Sequence, residues 1–147
     1  MTFKASSGLR DHMLSGGSVK SALDGGLLNM YGGAVPATAD ADLGGATLLS
    51  VMSSDGAGAG INMDTTAAGG ILPKAPAEAW HGTNVATDTA TFYRHVAAAD
   101  DGTLSTSQPR IQGTIGLAGA DLNMTSIDLV SGAPQTLDFY TIALPTL

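Results

Sequence analysis

A chain with one glutamate, Glu78, and three lysines lacks most of the residues from which solvent-facing helices are built. In their place stand twelve aspartates, twenty glycines, sixteen threonines and twelve serines, which favour turns and strands. With alanine, the small residues reach 71 of 147 positions. These numbers steer the chain toward an all-β domain with many tight turns. Strand-sized apolar runs recur along the whole length, so the glycine content does not imply disorder.

One domain of ordinary size accounts for the length. The net charge of −7 disfavours a nucleic-acid module, whose phosphate contacts need clustered Lys and Arg. Cysteine is absent, which removes disulfides, thiol nucleophiles and zinc–thiolate sites and leaves the redox compartment open. The uncharged stretch of residues 25–39 is interrupted by glycines and Pro36 and falls short of the ~20 apolar residues a membrane-spanning helix needs. The opening residues Met1 to Ser7 contain no apolar core of a secretory leader, so none is expected here.

Residues 1–24 read as a short helical N-terminal segment and residues 25–147 as the β domain. Ser6 or Ser7 can cap a helix that places Leu9 and Met13 on one face. Ser15-Gly16-Gly17 ends it, and Ser18 can cap a second turn through residues 19–23. Strands are expected near 27–31, 47–52, 60–63, 70–72, 78–82, 89–96, 110–117, 121–129 and 136–144. In the run from Arg110 to Leu117, Ile111, Ile115 and Leu117 share a face. Within 122–129 the apolar parity slips between Met124 and Ile127, as a bulge or a crossing between sheets would require. Phe92-Tyr93 and the run Leu137 to Leu144 carry apolar residues on both faces, so they sit against two layers or against another subunit. The expected fold is all-β, a jelly-roll-like sandwich of about eight strands with a short helical N-terminal segment.

No residue pattern specifies catalysis. His12, His81 and His95 lack the spacing of a local metal site, and exposed or hydrogen-bonded roles are the plainer reading. The groups Asp40-Ala41-Asp42, Asn62-Met63-Asp64 and Asp100-Asp101-Gly102 read as turn formers; no glutamate closes a calcium loop at the right distance. Gly56-Ala57-Gly58-Ala59-Gly60 lacks the Lys-Ser/Thr ending of a phosphate loop and precedes a strand, so it reads as a flexible hairpin loop. There is no nucleophile elbow. Asn123-Met124-Thr125 matches a glycosylation sequon but carries little weight without a leader. The expectation is therefore no enzyme, with no catalytic, cofactor-binding or metal residues. The aromatic anchors Trp80, Tyr31, Phe92, Tyr93, Phe139 and Tyr140 remain as core or interface candidates.

Several segments carry a resemblance. Gly8-Leu9-Arg10-Asp11-His12-Met13-Leu14, Ala22-Leu23-Asp24-Gly25-Gly26, Met30-Tyr31-Gly32-Gly33 and Pro36-Ala37-Thr38-Ala39-Asp40 resemble the small capsid cement proteins of tailed bacteriophages. So do Trp80-His81-Gly82-Thr83, Ala90-Thr91-Phe92-Tyr93-Arg94 and Gly119-Ala120-Asp121-Leu122-Asn123. The likeness spans most of the chain and is one of texture rather than of a catalytic signature. It implies a jelly-roll protein made in the bacterial cytoplasm and placed on the outer surface of the virion capsid. Its partners would be the major capsid protein and a second copy of itself, as a homodimer, with no nucleic acid and no membrane. On that reading Leu9, Arg10, Met13, Tyr93 and Tyr140 are the interface candidates, and removing residues 1–24 should abolish binding while leaving the sheet folded. The alternatives are a tail, fibre or baseplate component, and a carbohydrate-binding sandwich that uses Trp80.

Overall fold

The computed structural model describes residues 3–144. The elements in chain order are β1 (Lys4–Ala5), α1 (Ser7–Leu14), α2 (Val19–Leu23), β2 (Leu27–Gly32), β3 (Thr47–Met52), β4 (Ile71–Pro73) and β5 (Trp80–Thr83). They continue with β6 (Asp88–Val96), β7 (Arg110–Gly116), β8 (Leu122–Asn123), β9 (Asp128–Leu129), β10 (Pro134–Leu137) and β11 (Thr141–Ala143). The chain is an all-β sandwich. A large sheet runs in the order β1-β7-β6-β2-β3, and the pairs β5–β10 and β4–β11 form two small sheets.

Both helices follow their local chemistry. Ser6 caps α1 by accepting from the Leu9 N–H at 3.1 Å. Ser18 and Ser21 form a reciprocal capping box at the start of α2. Two short helices need tertiary support, and they find it by burying Leu9 and Leu23 in the core. The Ser6 hydroxyl also donates to the Gln108 carbonyl and accepts from the Arg110 N–H, both at 2.8 Å. With β1 paired to β7, residues 3–24 are woven into the sheet rather than laid on it. Removing them would take Leu9 and Leu23 out of the core along with any docking surface, so a deletion of residues 1–24 would not separate binding from folding.

Register fixes what each face buries. Leu28 lies opposite Met52 on one side and His95 on the other, and His95 lies opposite Ile111. Strand neighbours share a face, so these residues point to the interior. The two small sheets cover that face with Trp80, Leu137 and Ile142, joined by Tyr140 from the link between β10 and β11. On the opposite face, Asn29 lies across from Arg94 and Arg94 from Gln112. Both residues of the Phe92-Tyr93 pair are buried within one chain: Tyr93 meets Tyr140 edge-on in the facing layer, while Phe92, on the opposite face, stacks on its cross-strand neighbour Tyr31 at 5.0 Å.

Three expected strands divide. Residues 60–63 contribute only the isolated bridges Gly26↔Ile61 and Met63↔Lys74. The stretch 121–129 becomes β8, parallel to β7, and β9, antiparallel to β6, so the parity slip marks a change of partner. The stretch 136–144 breaks between β10 and β11, and there Phe139 turns outward while Tyr140 turns in. Strand β7 stops at Gly116; Ile111 and Ile115 are buried as expected, but Leu117 is exposed.

Candidate interaction surface

Of the five residues expected at an interface, three are interior. Leu9, Tyr93 and Tyr140 are 1%, 2% and 4% exposed and belong to the core. Tyr140 explains why: its ring lies 5.5 Å from both Trp80 and His95 and 5.7 Å from Tyr93, at the point where the two layers meet. An aromatic so enclosed contributes to folding, not to a partner. Arg10 is on the surface, and Met13 is half-buried beside an apolar groove. Trp80 is also enclosed, at 1% exposure, and presents no free face on which a sugar ring could stack.

The outer face of the large sheet carries charges whose burial no local pattern in the chain foretells. Arg94 and Arg110 are fully buried. Asp100 meets Arg110 in a two-point pair, Oδ2 on Nε at 2.6 Å and Oδ1 on Nη2 at 2.7 Å. Arg94 has no carboxylate of its own. It donates to Gln112 Oε1 at 2.9 Å, to the Gly102 carbonyl at 2.6 Å and to the Ala41 carbonyl at 2.8 Å. Gln112 in turn donates to the Pro36 carbonyl. Burial, and the charge of Arg110 beside it, hold the Arg94 pKa below its ordinary value. The planar guanidinium fork suits this role, since its donors reach several acceptors on separate loops at once. Residues 36–42 and 97–104 are thereby fixed over the sheet with every Arg94 donor group engaged, so the site holds loops rather than an incoming anion.

The aspartate-rich turns prove to be local braces. Asp40 accepts from the Ser7 N–H and hydroxyl, tying its loop to α1. Asp55 accepts from the Ala57 and Ala59 N–H groups at 2.8 and 2.9 Å, and those bonds lower its pKa. The Gly56–Gly60 loop is thus organised around a carboxylate instead of being loose. The lone glutamate braces its surroundings in the same way. Glu78 accepts from the Asn62 N–H, the Asn62 amide and the Trp80 indole at 2.7–2.8 Å. Desolvation opposes its ionisation, but these bonds and the nearby Lys74 charge hold its pKa below the ordinary value. Lys74 closes the knot by donating to the Glu78 carbonyl and lying over the Trp80 ring.

His95 is buried against Tyr140, with Nδ1 3.3 Å from the hydroxyl, and burial pulls its pKa down to about 4. His12 contacts Ser21 and His81 contacts its own neighbouring carbonyl of Ala79. Among the described residues no three His, Asp or Glu side chains converge to hold a metal ion.

Among the described residues, the surface carries an apolar groove and several exposed apolar side chains. A groove of about 430 Å³ opens between the helical segment and the β4–β11 sheet, lined by Met13, Val19, Ala67, Leu72, Ile142 and Leu144 among others. Elsewhere Phe139 and Leu14 each stand 87% exposed. The groove was not legible in the sequence, because its walls come from four separate segments. Such an arrangement can seat an apolar side chain from another molecule. No protein-family model matches this chain, and no curated protein or solved structure matches it either.

Proposed function

We propose that this chain is a structural protein of a tailed-phage virion, bound to the outside of the capsid and reinforcing the junctions between capsomers. The observation that carries this reading is where the segments that resemble capsid cement proteins lie in the fold. They supply its fixing contacts: Leu9 and Leu23 in the core, Tyr31 stacked on Phe92, the 36–40 loop held by Arg110 and Gln112, Trp80 on Glu78, and Arg94 itself. An acidic exterior suits a place outside the shell, away from packaged DNA.

Reinforcement of this kind is a matter of buried area. A standard protein–protein interface removes roughly 1,600 Å² from solvent, and repeated over a lattice it adds up even when each contact is modest. The outward face of α1, with Arg10 and Leu14, is the docking surface assigned to the capsid, and contacts between copies add a second link.

The test is to mix the purified protein with expanded, undecorated capsids of the parent phage. Saturable co-sedimentation and a raised shell-disruption temperature are expected, with Leu14→Asp weakening binding and leaving the chain's own melting unchanged. Absence of binding to heads would overturn the reading and leave the tail component and the carbohydrate-binding sandwich as the readings to test.

A further inference from the structure

The edges of the sheets are not equally protected. β3 is continued by residues 81–85: Ser53 and His81 exchange backbone hydrogen bonds, and the Val85 N–H donates to the Leu49 carbonyl. The far side of β4 is closed by the Asp64 N–H on the Pro73 carbonyl and by the exchanged bonds of Ala68 and Ile71. β10 begins with Pro134, and β1 carries Lys4, whose ammonium donates to the Ala37 carbonyl. Prolines, charges and covering segments of this kind keep an edge from adding a strand. β11 has none of them: Thr141, Ile142 and Ala143 are uncharged and pair with β4 in unbroken register.

The parity of that pairing leaves one row of backbone groups open. The Lys74 N–H donates to the Tyr140 carbonyl at 2.8 Å, and the Leu144 N–H to the Gly70 carbonyl at 3.0 Å. Antiparallel ladders alternate bonded and unbonded pairs, so Ile142 is the residue of β11 that bonds to β4. Thr141 and Ala143 turn their N–H and C=O groups the other way, and these groups have no partner among the described residues. Both residues are exposed, and a hollow of about 290 Å³ lies between them and Phe3, Gly119 and Asp121. We infer that two copies of this protein pair β11 to β11, antiparallel about Ile142, and so join their small sheets into one.

Whatever covers such a row must present matching donors and acceptors at strand spacing, which is the property of an extended chain. β11 itself meets that requirement. Centring the pair on Ile142 sets Thr141 of each copy opposite Ala143 of the other. Every open N–H then meets an open carbonyl, and two residues from each copy give four bonds in all. Charge favours the same occupant, because the segment from Phe139 to Leu144 has no ionised side chain, so two acidic copies can meet there without carboxylates directly opposed. Asp121, which borders the hollow, is held by the Thr114 N–H and hydroxyl. At the next register position half-exposed Leu144 comes across from Tyr140 of the second copy, adding apolar contact to the backbone bonds. The contact is reciprocal, so it uses up both edges and closes as a twofold dimer. A pair of three-residue strands thereby becomes part of a four-stranded sheet. This places the contact between copies that the capsid reading invokes, yet it stands without that reading.

The experiment is sedimentation equilibrium on the full chain alone, in moderate salt, so that its failure is distinct from failure to bind capsids. The mean mass is expected to rise with concentration and to level off at the dimer. Ala143→Pro removes an outward N–H and leaves the bonds to β4 intact, since none of them uses that group. It should weaken association at least tenfold with an unchanged thermal midpoint. Hydrogen exchange on the wild type gives a second reading that needs no variant. The Thr141 and Ala143 amides should exchange fast in dilute protein and slowly at dimer concentrations, while the Ile142 amide stays slow in both. Should Ala143→Pro melt early, the exchange measurement decides alone. A chain that stays monomeric at every concentration, that grows past the dimer, or that dimerises equally well as Ala143→Pro would overturn the inference. So would Thr141 and Ala143 amides whose exchange does not change with concentration.

Discussion

The two faces of the large sheet are both buried, by opposite means. The inner face is filled with Leu28, Met30, Tyr93 and Ile111 against Trp80 and Tyr140. The outer face is covered by loops that reach it through Arg94, Arg110, Asp100 and Gln112. Apolar contacts are non-directional and add up one methylene at a time. A buried charge pair is different: its two members were expensive to desolvate, and each is tolerable only while the other is present. The inner face should thus yield gradually to substitution and the outer face in one step. That contrast shows how a chain with few large apolar residues covers two faces, using backbone carbonyls of glycine- and alanine-rich loops where side chains are too small to pack.

The largest effect should come from breaking the charge pair. Asp100→Asn leaves Arg110 buried without its anion and is expected to cost about 3–5 kcal/mol in urea unfolding. Replacing both partners by apolar residues, Asp100→Leu with Arg110→Met, should cost markedly less than the single change. If the single change costs no more than the double, the pair is not what holds the outer layer.

A lesser effect belongs to the inner face and to pH. Burial lowers the His95 pKa from 6.5 to about 4 in the folded state, so the unfolded chain takes up a proton first as the solution is acidified. Stability is then undiminished above the unfolded value and falls as pH drops from 6.5 toward about 4, by about 3 kcal/mol in all. His95→Leu should remove that slope. An unchanged slope would assign the acid sensitivity to other groups.

The smallest expected effect separates the faces most sharply. Met30→Leu, which conserves volume in the interior, should cost less than about 1.5 kcal/mol. Arg110→Lys, equally conservative by charge, should cost more, because an ammonium cannot reproduce the two-point pairing with Asp100. Equal losses would erase the distinction.

What the sequence revealed follows the same division. Local signals were readable: Ser6 and Ser18 as caps, Gly16 as a stop, and β3 at residues 47–52, because each depends on a few adjacent residues. The outer layer was not readable, since an arginine in a strand looks the same whether it faces water or a loop carbonyl from a distant part of the chain. Apolar residues on both faces at Phe92-Tyr93 likewise signalled two layers without saying whether the second came from this chain, which is why Tyr93 and Tyr140 were placed at an interface. Phe139 and Tyr140 illustrate the limit: neighbours of similar character, one turned to solvent and one into the core by a strand break that periodicity does not encode.

The central claim, that Arg94 and the Arg110–Asp100 pair together hold the outer loops as one unit, is tested most directly by native-state hydrogen exchange on the wild type and on Asp100→Asn. The account predicts that backbone amides across residues 36–42 and 97–104 lose protection together in the variant, while β2, β6 and β7 keep protection close to the variant's own global stability. Protection retained in both loops, or lost from only one of them, would contradict it.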